Sequence, residues 1–349
     1  MDQQAPPPPL IPIDHLTLHL GLVQKFHAHC AATGRVGLPA IPSLIDEYMA
    51  LIDNLLTGAC RRWAAGTRDQ QRATLQKTLD QAFELSPRSM IILDWSTSKD
   101  ELNISSQVQT LAANYDHWID GRGAAPFGTH ADARVWLLAE ELTGGKRDCR
   151  VLDIGAGTGR NAIALARFGY PTDAVELSPR FAEQIRATAA ALNLTNITVF
   201  DGDVFATVDL RDDYKLIVAS EVVTDFRSAA QLHALFELAA KRLLPGGLLV
   251  FSAFLARDGY TPTPVARELA QHFMCGFFTA DEIAAAAAGL PLELIADDSV
   301  YDYEKAHLPA DAWPPTKWFE SWTAGRDAFP GERDASPIEL RWLVYQRAY

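Results

Sequence analysis

Three glycines at alternate positions, Gly155, Gly157 and Gly159, follow the apolar run Val151-Leu-Asp-Ile154 and precede a segment of helical period. Without a Cβ, glycine lets the backbone turn sharply and approach a ligand closely. The first N–H groups of the following helix are unpaired and sit at the positive end of its dipole. Dinucleotide enzymes use this geometry with the spacing G-x-G-x-x-G. Here the third glycine comes one residue early, and Arg160 stands where it would be. Asp153, at the end of the apolar run, suits a ligand with a cationic amino group better than a pyrophosphate.

Further polar residues follow at regular intervals. Glu176 closes the next apolar run, 21 residues after Gly155. A carboxylate there can accept both hydroxyls of a ribose, as in nucleotide-binding α/β folds. Asp203, after the third run, can accept from an adenine amino group, with the Val204 N–H offered to the ring. Ser220 and Glu221 end the fourth run. Asp225, in Val222-Val-Thr-Asp-Phe226, has two readings: a proton acceptor beside the reacting group, or the N-cap of a helix over 226–243.

These residues need a scaffold that gathers them. From Arg150 onward, short apolar runs at 151–154, 173–177, 197–200, 216–219 and 248–254 alternate with helical segments near 159–168, 179–192 and 227–243. That alternation predicts βαβ units, a doubly wound α/β domain with a mostly parallel sheet, and ligands at the carboxyl ends of its strands. Helices are expected near 264–273 and 279–288, then a strand near 292–297. A Trp-rich stretch (Trp313, Trp318, Trp322) precedes a last, alternating strand at 338–345.

The N-terminal part has a different period. Residues 1–13 read as a Pro-rich arm. From 14 to about 86 the pattern is helical, with Leu44, Ile45, Tyr48, Ile52, Leu55 and Leu56 on one face. Met90–Leu93 reads as a strand or a buried turn. Val108, Leu111, Tyr115, Trp118 and Ile119 fit one helical face. The expected division is an arm (1–13), a mainly helical N-terminal domain and lid (14–130), and a nucleotide-type domain (131–349) with an insertion near 300–335.

Together the C-terminal motifs resemble those of the class I S-adenosylmethionine (SAM)-dependent methyltransferases. Val151–Gly159 is similar to that family's first motif, Ala174-Val-Glu-Leu-Ser-Pro179 to its second, Gly202-Asp203 to its third, and Leu243–Val250 to its late helix–turn–strand. The likeness covers residues 150 to about 256. It implies a seven-stranded sheet with one antiparallel strand, and SAM as cofactor. It also implies that Asp153, Gly155, Ala156, Gly157 and Gly159 surround the methionine end. Glu176 would then hold the ribose and Asp203 the adenine; Leu177, Val204 and Ser220 are further cofactor-binding candidates, Ser220 beside the point where the strand order should reverse. In such enzymes the preceding helix folds over SAM, which would bring Tyr115 and Arg122 to its carboxylate. Gly159-Arg-Asn161, Gly169-Tyr170 and Gly276–Glu282 are loosely similar to the tellurite- and thiopurine-methylating branch.

Composition narrows the partners. A net charge of −13 over 349 residues disfavours nucleic acid as the main partner, because phosphate binding needs clustered Lys and Arg. Cys30, Cys60, Cys149 and Cys275 are scattered, so neither a zinc site nor a disulfide framework is expected. With no signal peptide and no apolar run of membrane-spanning length, the chain reads as soluble and cytoplasmic. The expected activity is methyl transfer to an O, N or S nucleophile on a small molecule. The alternatives are a protein or RNA methyltransferase, or a non-catalytic scaffold acting through its N-terminal helices. Those helices would also be where a homo-oligomer forms.

Overall fold

The structure is a computed structural model, described over residues 33–58, 66–85, 89–97, 102–109, 128–206 and 208–349. The Pro-rich arm, Tyr115 and Arg122 lie outside the described residues. Two compact units are present. One takes in the described residues from 33 to 109 with Thr263–Met274; the other takes in those from 128 to 262 with Cys275–Tyr349.

The first unit has the expected helices, Ile45–Gly58 and Thr67–Leu85, joined by the helix Pro264–His272 from the distant segment. It also carries a sheet that helical periodicity did not indicate. Strands β1 (Thr33–Pro39), β2 (Met90–Thr97) and β3 (Leu102–Gln109) pair antiparallel in that order. Residues 33–39 therefore correct the helical reading of 14–86, and Val108 lies in a strand, not on a helical face. In β2 the alternation continues past the run read from sequence: Ile91, Leu93 and Trp95 are buried while their neighbours are not. Ile91 and Leu93 join Leu38, Tyr48, Met49, Leu79 and Leu269 in one core.

The second unit is the expected α/β domain. Its strands are β4 (Val151–Ile154), β5 (Thr172–Glu176), β6 (Ile197–Asp201), β7 (Tyr214–Ala219), β8 (Leu243–Ala256), β9 (Phe277–Phe278), β10 (Leu292–Ser299) and β11 (Ile338–Arg347). Their order is β10-β11-β8-β7-β4-β5-β6, with the two-residue β9 attached to β8 as an eighth strand. Strands β4 to β8 are parallel, and β11 runs antiparallel to both β8 and β10. β4 and β7 are buried along most or all of their length, as suits strands covered on both faces. On one face Phe236, Phe251 and Tyr345 stack edge-to-face and in parallel within a core shared by β7, β8, β11 and the helix Ala229–Arg242. On the other face Trp322 meets Phe254 edge-on, so the Trp-rich insertion packs onto the sheet.

Among the described residues, no helix is long and apolar enough to cross a membrane.

Candidate functional site

The chain runs from β4 outward to β5 and β6, then returns to place β7 on the other side of β4. Open α/β sheets bind ligands at such a reversal, outside the carboxyl ends of the strands; here the loops that follow β4 and β7 meet there, Gly155 against Val222. The glycine loop forms the β4 side. Gly155, Gly157 and Gly159 have φ of 65°, 57° and 86°, in the left-handed region. At Gly155 a Cβ would also lie 2.5 Å from Val222 Cγ2, so the turn after β7 fits only against a bare backbone. The N–H groups of Gly155 and Ala156 donate to Val175 O, which fastens the loop to β5.

Glu176 stands at the carboxyl end of β5, 6% exposed. Its Oε2 accepts from the Gly157 N–H at 2.7 Å and its Oε1 from the Ser178 N–H at 2.8 Å. Burial raises its pKa to about 6 against these bonds. Glu176 thus braces the glycine loop. Asp203 Oδ1 accepts from the Phe205 N–H at 2.9 Å, an Asx turn after β6, and the Gly202 N–H donates to Glu176 O. Beside these carboxylates two large apolar side chains face solvent: Leu177 is 52% exposed and Phe205 41%.

Asp153, next to last in β4, is 2% exposed, and its Oδ2 has no hydrogen-bond partner. Burial, then the charge of Asp132, raise its pKa to about 7; Arg160 and the Ala162 N–H pull the other way.

Around it lies a buried polar network that the motifs did not announce. Arg160 forms ion pairs of 2.7 Å with Asp132 Oδ1 and with Glu221 Oε1. The Ser220 hydroxyl donates to Asp132 Oδ2 at 2.7 Å and accepts from Arg160 Nη2. Asn161 Nδ2 also donates to Asp132 Oδ2, and its Oδ1 accepts the Asp132 N–H. Asp132 precedes the helix Ala133–Thr143 but makes no side-chain cap. That role falls to Glu304, which accepts from the N–H groups of Ala133 and Arg134 and from the Trp342 indole at 3.0 Å. Glu304 is fully buried, and burial with the nearby Asp132 charge raises its pKa to about 7.

The structure therefore brings Asp153, the glycines, Ala156, Glu176, Leu177, Asp203, Val204 and Ser220 to the carboxyl edge of the sheet. Ser220 is engaged inside the network. Asp225 ends a short 3-10 turn, Val223–Asp225, and does not cap the helix: that begins at Ala229, with Ser228 before it. Sequence reasoning missed Asp132, Glu304 and Phe205, and read Arg160 as the position of a missing glycine and as part of the Gly159-Arg-Asn161 motif, not as a buried charge. An arginine in the first turn of a helix that packs on a sheet is the one local sign of a buried counter-charge.

A family model described as a methyltransferase domain matches residues 68–296. Among solved structures, the chain is similar to a protein described as a sarcosine dimethylglycine methyltransferase from Galdieria sulphuraria, with 17% identity, TM-score 0.49, 68% of this chain and 98% of that one. It is similar to a geranyl diphosphate methyltransferase in complex with SAM, with 18% identity, TM-score 0.48, 62% of this chain and 85% of that one. A geranyl diphosphate C-methyltransferase from Streptomyces coelicolor A3(2) gives 19% identity, TM-score 0.44, 62% and 79%. No curated protein matches the sequence.

Proposed function

The chain belongs to the methyltransferase-domain family and is a SAM-dependent methyltransferase; on that premise we propose that it methylates an O, N or S nucleophile of a small molecule. The residues fit the cofactor. Asp153 Oδ2, buried and without a partner, is the observation that carries the assignment, because a buried carboxylate oxygen is costly until a cation or donor reaches it. The ammonium group of SAM supplies one. Glu176 and its neighbour Leu177 take the ribose, Asp203 and Val204 take the adenine, and the exposed Leu177 and Phe205 offer it apolar faces.

SAM carries a methyl group already activated on a sulfonium, so the protein's task is chiefly alignment. Proximity and orientation supply on the order of 7–11 kcal/mol at best. The glycine loop, braced by Glu176, fixes where the cofactor lies. The turn after β7, held against Gly155 and by the Gly276 N–H bonded to Thr224 O, fixes the acceptor side. Asp225, in that turn, is the candidate proton acceptor.

The acidic balance of the chain supports a small acceptor over nucleic acid. Incubation of the protein with methyl-labelled SAM and a metabolite extract, total RNA or cell protein tests this directly. Label is expected in the small-molecule fraction. Label confined to RNA or to protein would overturn the proposed acceptor class.

A further inference from the structure

The polar network around Arg160 has more carboxylates than cations; Asp132 is buried, while the Glu221 side chain is 19% exposed at the carboxyl end of β7. Asp132 is fully engaged: Oδ1 by Arg160, Oδ2 by Ser220 and Asn161. Glu221 is not. Its Oε1 meets Arg160, while its Oε2 has no hydrogen-bond partner among the described residues. Its backbone sits at φ 60°, a left-handed conformation that costs a non-glycine residue energy and must be imposed by its surroundings. The Glu221 N–H donates to Ser252 Oγ at 2.8 Å, and its carbonyl accepts from the Thr224 hydroxyl. The residue is thus held at the carboxyl end of β7, the strand beside β4, which carries Asp153.

Among the described residues Arg160 is the only cation paired with Asp132 or Glu221. One positive charge faces two carboxylates, before the partnerless oxygen of Asp153 is counted. An excess of this sign, partly shielded from water, is stabilised by a cation brought in from outside. If Glu176 and Asp203, at the ends of β5 and β6, hold the adenosine, the rest of the cofactor would extend toward β4 and β7.

We propose that Glu221 makes this site discriminate the cationic sulfonium of SAM from the neutral thioether of S-adenosylhomocysteine, so that the spent cofactor is held more weakly than the fresh one. The proposal rests on the SAM reading of the site. In the transfer, a lone pair of the acceptor bonds the methyl carbon as the methyl–sulfur bond breaks and leaves its electron pair on sulfur; the positive charge passes to the acceptor, where it neutralises an anionic nucleophile or leaves as a proton from a neutral one. Glu221 then faces one positive charge fewer.

Calorimetric titration of the full chain with SAM, S-adenosylhomocysteine and sinefungin, whose protonated amine replaces the sulfonium, tests this. The wild type is expected to bind SAM and sinefungin ~10-fold or more tighter than S-adenosylhomocysteine, a preference of about 1.4 kcal/mol. Glu221→Gln should lose most of that preference while binding S-adenosylhomocysteine within about two-fold of wild type. Equal wild-type affinity for SAM and S-adenosylhomocysteine would overturn the proposal, whether or not the variant folds. So would a Glu221→Gln protein that keeps the wild-type ratio. If none of the three ligands binds the wild type, the SAM reading itself fails, and the proposal with it.

Discussion

Asp153 shows how one side chain links pH to both stability and binding. Its folded pKa is about 7, raised first by burial and then by Asp132, against about 3.9 in an unfolded chain. Between those values the folded state keeps a proton that the unfolded state has lost, so stability without ligand falls as pH rises through this window. Glu176, raised to about 6, and Glu304, raised to about 7, act in the same direction. A ligand ammonium beside Asp153 favours its ionised form. SAM affinity is therefore expected to rise between pH 5.5 and 7, by at most ~10-fold per pH unit, and to flatten in Asp153→Asn. A flat wild-type profile by calorimetry would count against Asp153 as the ammonium partner. Gly155 gives a second residue-scale prediction. Gly155→Ala places a Cβ 2.5 Å from Val222 Cγ2 at a positive φ, so the turn after β7 must move. A stability loss of roughly 1–3 kcal/mol in chemical denaturation is expected, together with weaker SAM binding.

Among the elements, the helix Ala133–Thr143 depends on a carboxylate from far along the chain. Glu304→Ala would leave the N–H groups of Ala133 and Arg134 and the Trp342 indole without their acceptor in a dry interior. The expected cost is about 3–5 kcal/mol. At roughly 2–4 °C per kcal/mol, the melting temperature should fall by about 10 °C. A change within a degree or two would show that these donors find other partners. Elements with a strong period and local caps were legible from sequence. The helix Pro179–Ala191 has Ser178 at its N-cap and Pro179 at N1, and Ala280–Ala287 has a capping box between Thr279 and Glu282. The glycine loop and Glu176 were legible too, because strand–turn–helix chemistry is local. Asp132, Arg160 and Glu221, and Glu304 with Ala133, meet across separations from 28 to 171 residues, and no local pattern encodes such meetings. β1 was misread because its Gly-Arg-Val-Gly-Leu sequence has little strand character until β2 pairs with it.

Across the whole molecule, the chain interleaves its two units. Thr263–Met274 leaves the stretch expected to form the C-terminal domain and packs with the N-terminal unit, where Leu269 is buried and Glu268 accepts the Ser43 N–H. The sheet order of the α/β unit accounts for why residues as distant as Asp153, Glu176, Asp203 and Ser220 share one edge. The methyl-donor assignment is tested most directly by calorimetric titration of SAM into the wild type and Glu176→Ala. Saturable wild-type binding, weakened ~10-fold or more in the variant, is the predicted result. An absence of binding at millimolar SAM, or an affinity unchanged by the substitution, would contradict it.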